Sequence, residues 1–390
     1  MHRRFAGHRS PHVAGAKSNQ SFKTGIAMNP TQQLHNLGQS IWLDNITREL
    51  LTSGTLARYI RDLHVTGLTS NPTIFEHAIG HSTAYDAAIL SQLGKGKSDV
   101  SLFFELALED LSRAADLFRS TFDASAGVDG WVSLEVSPLL AHDAANTIKE
   151  AAELHARANR SNLFIKIPGT TEGLEAIEAS IFAGVPVNVT LLFSCEQYLA
   201  AAEAYLRGIE RRIEAGLDPN VGSVASLFIS RWDVAVKDTV SPQSRNRLGI
   251  AVAMQTYQAY CALLASPRWQ KLAAAGASAQ RVLWASTGTK DPQASDTVYV
   301  EALAAPRTVN TIPEKTLLAF ADHGQVKKKL PTNGGDADAV LADFSRQGIA
   351  IDVLAERLQR EGAEAFVASW RQLLQAIGTK KSHLAQVCTS

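Results

Sequence analysis

A lysine interrupts an otherwise apolar run at Asn162–Pro168, whose sequence is NLFIKIP. In a strand the side chains alternate between two faces, so Lys166 shares its face with Phe164 and not with Ile165 or Ile167. Burial disfavours the charged form of an amine, and a neutral amine can attack a ketone to form a Schiff base. The alternative is a lysine that pairs with a carboxylate and merely fills the interior, and the pattern alone leaves both open.

Two carboxylates are placed where they could serve such a lysine. A protonated imine draws electrons from a neighbouring C–C bond, and breaking that bond requires a group that moves protons. Asp44 ends the β-rich run Ile41–Asp44, and Glu135 lies in Trp131–Ser137 on the face opposite three apolar side chains. Either carboxylate could carry the proton.

More polar and aromatic residues stand near the ends of other β-rich runs: Asn71, Asn188, Thr190, Ser226, Phe228 and, shortly afterwards, Arg231. Two of them have ordinary explanations as well. Asn71 precedes Pro72, and this pair is a common helix start. Arg231 and Asp233 are also typical of a surface ion pair.

Eight β-rich runs would have to position these residues: Ile41–Asp44, Val65–Ser70, Trp131–Val136, Leu163–Ile167, Val185–Phe193, Val224–Ile229, Val282–Ser286 and Arg307–Ile312. Between them, apolar residues recur at the i, i+3, i+4, i+7 spacing of helices. The alternation predicts an α/β protein, a (β/α)8 TIM barrel, in which active sites lie at the carboxyl ends of the strands. A doubly wound sheet is the alternative, but no G-x-G-x-x-G follows the first strand.

The organisation outside the barrel is less regular. Residues 39–324 are predicted to form the barrel, and residues 325–390 a helical extension packed on it. The last helix of that extension carries Phe366, Trp370, Leu373 and Ile377 on one face. Residues 1–38 are predicted to be a disordered or non-native extension, with Met28 as the true start; the Arg-rich, acid-free composition is also that of a transit peptide.

Composition excludes several classes of protein. The 390 residues carry 38 Lys and Arg against 38 Asp and Glu, and this balance argues against binding nucleic acid through its phosphates. No uninterrupted apolar run approaches the ~18 residues that span a bilayer, so no membrane partner is expected. Cys195, Cys261 and Cys388 lie too far apart for a metal knuckle or a disulfide framework. We therefore expect no metal and a cytoplasmic location.

Six segments resemble the transaldolases, in that family's order: Trp42–Asn45 (WLDN), Gly67–Phe75 (GLTSNPTIF), Ser133–Pro138 (SLEVSP), Phe164–Thr170 (FIKIPGT), Asn188–Phe193 (NVTLLF) and Ala225–Asp233 (ASLFISRWD). The resemblance spans about residues 40–375. Leu283–Lys290 (LWASTGTK) and Thr308–Lys315 (TVNTIPEK) are similar to the longer bacterial type in particular. Each segment alone is a weak signal, but chance does not explain six such segments in the same order as in the family.

The resemblance implies a barrel with a class I aldol mechanism that uses no cofactor. A ketose phosphate such as fructose 6-phosphate or sedoheptulose 7-phosphate would form a Schiff base with Lys166. Cleavage would release an aldose phosphate and leave a dihydroxyacetone unit on the enzyme. That unit would then pass to a second aldose phosphate, such as erythrose 4-phosphate or glyceraldehyde 3-phosphate, as in the non-oxidative pentose phosphate pathway.

The resemblance also implies roles for the individual residues. Asp44 would move the proton of the substrate hydroxyl, and Glu135 with Thr190 would handle a water molecule. The dihydroxyacetone hydroxyls would be held by Asn71, Asn188 and Ser226. Phe228 would form a wall of the site and Arg231 would bind the phosphate.

One departure from the family pattern concerns the second phosphate contact. Shorter transaldolases carry an arginine near the seventh strand, where this chain has Ala285–Lys290, so Lys290 or the backbone of residues 286–288 is the expected replacement.

Two other functions stay open: a class I aldolase that releases free dihydroxyacetone, and a catalytically silent barrel that only binds ligands. The partners would be sugar phosphates, and the sequence allows a monomer or a homodimer.

Overall fold

A computed structural model describes residues 29–389, with side chains up to residue 386. Eight parallel strands close into a barrel in chain order: β1 Ser40–Asp44, β2 Val65–Thr69, β3 Trp131–Glu135, β4 Leu163–Pro168, β5 Val187–Leu192, β6 Ser223–Phe228, β7 Arg281–Ala285 and β8 Val309–Ile312. Each predicted run overlaps one of these strands, and β1 pairs with β8. The (β/α)8 barrel is therefore confirmed, and the doubly wound sheet was wrong because the sheet has no open edge.

Helices surround the barrel and continue beyond it: α1 Pro30–Leu37, α2 Arg48–Thr52, α3 Thr55–Leu63, α4 Pro72–Gly80, α5 Asp86–Leu90, α6 Asp99–Ala124, α7 Ala144–Ala158, α8 Thr171–Phe182, α9 Cys195–Glu214, α10 Ser230–Val236, α11 Leu248–Ala265, α12 Pro267–Ala274, α13 Val298–Ala302, α14 Glu314–His323, α15 Ala337–Arg346 and α16 Ile351–Thr389. Short 3-10 helices occupy Pro138–Leu140 and Pro242–Ser244. The apolar outer face of the strands packs under these helices and forms the core.

Strand register brings the predicted polar residues side by side. Glu135 of β3 is in register with Lys166 of β4, and Lys166 with Asn188 of β5. Their neighbours Leu134, Ile165 and others of the opposite face are completely buried beneath the helices. The inward direction predicted for Glu135, Lys166 and Asn188 follows from strand alternation and is what the barrel contains.

The register breaks at the end of β5. Pairing with β6 shifts between Val189 and Leu192, and Leu191 adopts a φ of 60°, which is left-handed and unfavourable for a side chain with a branched Cγ. The carbonyl of Thr190 still accepts a hydrogen bond from the amide of Gly169 at 2.7 Å. This bulge sets the orientation of the strand end that carries Thr190.

The chain before β1 differs in part from the prediction. Residues 1–28 lie outside the described part, so the predicted extension and the start at Met28 are untested there. Residues 30–37, however, form α1, whose first turn is capped by Asn29 Oδ1 accepting from the amide of Thr31 at 3.0 Å. α1 packs against α14 and β1. The prediction of a disordered segment through residue 38 was therefore wrong for α1, because a helix of 8 residues gives too short a periodic signal.

The C-terminal extension consists of α15 and the 39-residue α16. Phe366, Trp370, Leu373 and Ile377 are all buried, as their spacing predicts. The indole of Trp370 packs edge-on against Phe103 of α6 with 5.0 Å between ring centroids. α16 also contacts α4, α5 and β5, so it crosses several elements of the barrel.

One helical stretch of the described chain, Pro242–Ala265, is long and apolar enough to cross a membrane. It contains α11, which packs against α9, α15 and β7. Half of its apolar window is buried inside the protein. This packing is that of a core helix, and it explains the high apolar content without a bilayer.

Candidate active site

A cavity of about 100 Å³ opens at the carboxyl ends of the strands. Its wall consists of Asp44, Thr69, Asn71, Lys166, Thr190, Ser226, Phe228, Arg231, Ala285, Ser286, Thr311 and Phe366. Most of the residues predicted from sequence are therefore brought together. Glu135 and Asn188 lie beneath the wall, and Lys290 lies outside it.

Lys166 is one of the residues that line this cavity. Its Nζ donates a hydrogen bond to the carbonyl of Ser70 at 3.1 Å and lies 3.5 Å from Glu135 Oε2. Lys166 and Glu135 are each 5% exposed, so water screens their interaction poorly. The distance is long for a tight ion pair, which leaves the amine free to approach a substrate carbonyl.

Burial raises the pKa of Glu135 to about 7, and the positive charge of Lys166 opposes the rise only in part. The negative charge of Asp44 adds to the increase. A carboxyl that titrates near neutral pH can both accept and release a proton under ordinary conditions. Glu135 is thus suited to a step that needs a general base and then a general acid.

We expect the stability of the protein to depend on pH through Glu135. Its folded pKa of about 7 exceeds the ordinary 4.5, so between these values the folded state binds more protons than the unfolded chain. Stability from this group is present below pH 4.5 and is lost as the pH rises through 7, by up to about 3 kcal/mol. Urea unfolding of the wild type and Glu135→Gln at pH 5 and pH 8 measures this. The free energy of unfolding of the wild type should fall relative to that of the variant between pH 5 and pH 8. A difference that stays constant between the two pH values would contradict the assignment.

Asp44 is half-buried and belongs to a hydroxyl chain. Thr69 Oγ1 donates to Asp44 Oδ1 at 3.1 Å and lies 2.8 Å from Thr311 Oγ1. Since the Thr69 proton goes to Asp44, the hydroxyl of Thr311 is the donor in the second contact. Burial raises the pKa of Asp44, against the opposing effects of Lys166 and the Thr69 hydrogen bond. The two threonines hold the carboxylate in one orientation facing the lysine side of the cavity.

Glu135 and Thr190 share an unusual property. Both carboxylate oxygens of Glu135 and the hydroxyl of Thr190 are buried and have no hydrogen-bond partner among the described residues. Buried polar atoms are nearly always paired, and unpaired ones occur at functional sites. The two side chains predicted to act on water together are therefore among the described residues whose buried polar atoms have no hydrogen-bond partner in the protein.

Asn188 acts on the cavity through a neighbour. It is completely buried; its Nδ2 donates to Ser133 Oγ at 3.1 Å and its Oδ1 accepts from Ser226 Oγ at 2.7 Å. The hydroxyl of Ser226 faces the cavity with its proton turned away, so it can accept a hydrogen bond from a substrate hydroxyl. Asn71 was interpreted both as a site residue and as a helix start. It lines the cavity, and its Oδ1 accepts a hydrogen bond from the amide of Ile74 at the start of α4.

Arg231 is half-buried beside Phe228, with its guanidinium carbon 5.3 Å from the ring centroid. Asp233 is not its partner. That carboxylate is buried and accepts from the amides of Leu248 and Gly249 and from the hydroxyl of Tyr299. The surface pair was therefore wrong, and no described residue forms an ion pair with Arg231. A guanidinium without a carboxylate at the rim of a cavity is suited to a phosphate.

Lys290 is exposed at the margin of the site. Its charge lowers the pKa of Asp44, so it lies within electrostatic reach, but it does not line the cavity. Its predicted phosphate contact remains a prediction. The sequence analysis missed Thr69, Thr311 and Phe366 as cavity residues and considered Ser286 only for its backbone. Thr69 ends β2, Ser286 directly follows β7 and Thr311 is the last residue but one of β8, so the end-of-strand criterion applied to these strands would have found all three. Phe366 had no such signal.

A larger cavity of about 920 Å³ lies at the opposite end of the barrel. Its lining includes the first residues of several strands, among them Ser40 and Arg281. Arg281 is engaged there by Asp129 at 3.7 Å and by the Ser40 hydroxyl at 2.7 Å. Size alone therefore does not identify the site, since Lys166 and the neighbouring carboxylate of Glu135 lie at the other end. Among the described residues, no cluster of His, Cys, Asp or Glu could hold a metal ion.

Comparison with known proteins agrees with this geometry. The transaldolase/fructose-6-phosphate aldolase family matches residues 41–377, which include every cavity residue named above. This chain belongs to the transaldolase/fructose-6-phosphate aldolase family. The transaldolase of Arthrobacter sp. (strain FB24) is 46% identical over 88% of this chain and 95% of its own length. The transaldolase of Thiobacillus denitrificans is 44% identical over 90% and 100%, and transaldolase 1 of Streptomyces coelicolor is 44% identical over 89% and 93%.

Membership in the transaldolase/fructose-6-phosphate aldolase family accounts for the placement of the site. Barrel enzymes build their chemistry at the carboxyl ends of the strands, which is where Lys166, Asp44 and Thr190 meet. The family match over residues 41–377 includes α15 and most of α16. The C-terminal extension is thus part of the shared architecture.

Proposed function

We propose that this protein is a transaldolase, which transfers a dihydroxyacetone unit from a ketose phosphate to an aldose phosphate. The donors would be fructose 6-phosphate and sedoheptulose 7-phosphate, and the acceptors erythrose 4-phosphate and glyceraldehyde 3-phosphate, in the non-oxidative pentose phosphate pathway. The observation that carries the proposal is a buried amine, Lys166, beside a carboxyl of pKa about 7 in a cavity rimmed by an arginine.

In the proposed reaction Lys166 Nζ attacks the ketone carbon of the donor. Loss of water from the resulting carbinolamine gives an imine, and Glu135 with Thr190 moves the protons of that water. Asp44 then accepts the proton of the hydroxyl on the β carbon, two positions from the imine carbon. The β oxygen becomes the aldehyde of the leaving sugar, and the bond between the α and β carbons breaks with its electrons flowing to the imine nitrogen. The aldose phosphate leaves and an enamine remains. The reverse steps with the acceptor aldehyde complete the transfer, so the chemistry requires no cofactor.

The remaining residues would bind the substrate. Ser226 and Asn71 line the cavity and would form hydrogen bonds with the hydroxyls of the dihydroxyacetone unit. Asn188 would orient Ser226 through the hydrogen bond between their side chains. Phe228 would form an apolar wall. Arg231, with Lys290 at the margin, would hold the phosphate.

Arg231→Ala should raise KM for fructose 6-phosphate by roughly 10- to 150-fold, which corresponds to the 1.5–3 kcal/mol of a charged hydrogen bond. The reason is that no described carboxylate neutralises this guanidinium, so the phosphate would be its main partner. Steady-state kinetics with fructose 6-phosphate and with unphosphorylated fructose measure the effect. The variant should lose the advantage of the phosphorylated sugar; an equal change for both sugars would place the phosphate elsewhere.

Release of free dihydroxyacetone is the second candidate function, because the matched family includes fructose-6-phosphate aldolases. Transfer and release share the lysine imine and differ in the fate of the enamine. Consumption of fructose 6-phosphate with and without erythrose 4-phosphate separates them. Strict dependence on the acceptor supports transfer, and equal turnover without it contradicts the proposal.

Absence of any turnover or imine in folded protein would favour the third hypothesis, a silent binding barrel. A cytoplasmic location also stays a prediction; Cys195 and Cys261 are free thiols, as it requires. Sugar phosphates are the proposed partners, and both a monomer and a homodimer are consistent with the site, which one chain completes.

A further inference from the structure

The C-terminal helix α16 presents three residues of one face to the mouth of the barrel. Gln359, Gly362 and Phe366 are spaced at i, i+3 and i+7, so they lie on one side of the helix. Each of the three contacts a residue in the last part of a strand or in the loop that follows the strand. The helix therefore lies over the candidate site and not only against the outer helices.

Gln359 attaches the helix to two strand ends. Its Nε2 donates to the carbonyls of Gly169 and Leu191, both at 3.0 Å. Gly169 follows the strand of Lys166, and Leu191 is the left-handed residue that follows Thr190. A left-handed non-glycine residue costs about 1–3 kcal/mol and persists only when its surroundings hold it. Both protons of the amide are used, so the contact fixes the height of the helix above the barrel.

Gly362 allows the helix to come close. A methyl group at this position would lie 3.0 Å from Leu191 Cδ2 and 3.5 Å from Arg231 Nη1. The first distance is shorter than ordinary van der Waals contact, so a side chain here would require either Leu191 or the helix to shift. Glycine here costs helix stability, and close approach of the backbone is the compensating gain.

Phe366 closes the cavity from above. It lines the cavity, is 5% exposed, and its ring centroid lies 5.7 Å from Lys166 Nζ. One turn further along the helix, Trp370 packs between Phe103 and Phe104, with ring centroids at 5.0 and 5.7 Å. This cluster holds the helix down on the side beyond the cavity. A substrate bound to Lys166 Nζ would therefore contact the apolar ring of Phe366 on this side, and not water.

We propose that Phe366 excludes water from the enamine on Lys166, so that the three-carbon unit is transferred to an acceptor and not released. The inference rests on the proposed transaldolase function and names the residue that decides between transfer and release. A closed, apolar cover is the usual means of protecting a reactive intermediate from hydrolysis.

The two fates of the enamine differ in what its carbon reacts with, a proton derived from water or the acceptor aldehyde. In release, the enamine carbon takes a proton derived from water, and hydroxide adds to the resulting iminium carbon. The C–N bond then breaks, so that one water molecule is consumed and dihydroxyacetone and the free amine of Lys166 are formed. In transfer, the same enamine carbon attacks the acceptor aldehyde, whose oxygen takes up the proton held by Asp44. Water then hydrolyses the new imine, which frees the ketose phosphate and the amine of Lys166. An apolar ring above the enamine hinders protonation by water but not the entry of a bound aldehyde.

The test is a partition ratio: free dihydroxyacetone released from fructose 6-phosphate without acceptor, divided by the rate of transfer to erythrose 4-phosphate. Phe366→Ala should raise this ratio by about tenfold, which is a change of 1.4 kcal/mol in relative barrier heights. Phe366→Leu keeps part of the cover and should give a smaller increase in the same direction; it carries the test if the alanine variant does not fold. Deuterium incorporation into released dihydroxyacetone in heavy water reports protonation directly and should rise in parallel.

Leu373→Ala is the matched control. Leu373 is completely buried on the same helix, two turns beyond Phe366, and does not line the cavity. Its loss loosens the packing of α16 without opening the site, so the ratio should stay at the wild-type value. An equal increase in Leu373→Ala and Phe366→Ala would overturn the inference, because the effect would then belong to the helix and not to the ring.

Borohydride trapping separates failure of this inference from failure of the proposed function. If the wild type gives a three-carbon adduct on Lys166 and the ratio of Phe366→Ala is unchanged, the shielding role is wrong and the transaldolase proposal stands. If the wild type forms no adduct with fructose 6-phosphate, the proposed function itself is wrong, and the inference falls with it. An adduct in all variants with a raised ratio in Phe366→Ala supports both.

Discussion

Lys166→Met should lower turnover of fructose 6-phosphate by roughly a million-fold, the loss typical of removing a catalytic nucleophile. Methionine fills about the same volume, so the cavity keeps its packing. The fold should survive for an electrostatic reason. Lys166 is what opposes the raised pKa of Glu135, and without it Glu135 takes up a proton at neutral pH, so no unpaired charge stays buried.

Kinetics and borohydride trapping measure this prediction, with peptide mass spectrometry to locate the adduct. Lys149→Met is the control, since Lys149 is an exposed lysine on a barrel helix, 4.0 Å from Glu153. The control should keep both turnover and the adduct. An adduct that forms at another lysine in Lys166→Met, with turnover retained, would refute the Schiff-base assignment. A lower melting temperature without loss of turnover would leave Lys166 with a packing role only.

Asp44→Asn should lower kcat by about 10²- to 10⁴-fold, the range for loss of a general acid or base. Asparagine can still accept the hydrogen bond from Thr69, so the side chain should keep its place in the Thr311–Thr69 chain. It cannot take a proton from the substrate hydroxyl. Imine formation uses Lys166 and Glu135 and should continue, whereas cleavage of the C–C bond should become the slow step.

The distinguishing measurement is the mass of the trapped adduct. Wild-type protein incubated with fructose 6-phosphate and borohydride should carry a three-carbon unit, whereas Asp44→Asn should accumulate the uncleaved six-carbon sugar phosphate. Asp62→Asn removes a solvent-exposed carboxylate paired with Arg61 and should behave as the wild type. A three-carbon adduct formed at the wild-type rate in Asp44→Asn would show that another group moves the proton.

Much of the barrel was predictable because strand alternation is a local property. Lys166 and Glu135 were each assigned to the inner face from the apolar residues on either side of them, and register then places them side by side. Apolar periodicity similarly predicted the buried face of α16. These signals are contained in a few consecutive residues and do not depend on how distant elements pack.

Other features depended on contacts that no short segment contains. Asp233 follows Arg231 by two residues, yet it accepts hydrogen bonds from the start of α11 and from Tyr299. Asn188 was expected to contact substrate, and that contact stays a prediction; in the fold its amide also bonds to Ser133 and Ser226, which no short segment shows. In both cases buried polar groups must be satisfied, and only the folded neighbours decide which partner does so.

By itself the sequence determined the alternation of strands and helices, the direction of the side chains along each strand, and the family whose segments it resembles. Three features of the barrel mouth were decided by the tertiary structure alone. They are the bulge at Leu191, the absence of a described carboxylate beside the Arg231 guanidinium, and the position of Phe366, 5.7 Å from a lysine 200 residues earlier in the chain. The reason is physical. Side-chain direction in a strand follows from covalent geometry over two residues, whereas the approach of α16 to β4 depends on packing and hydrogen bonds that exist only once the barrel has closed.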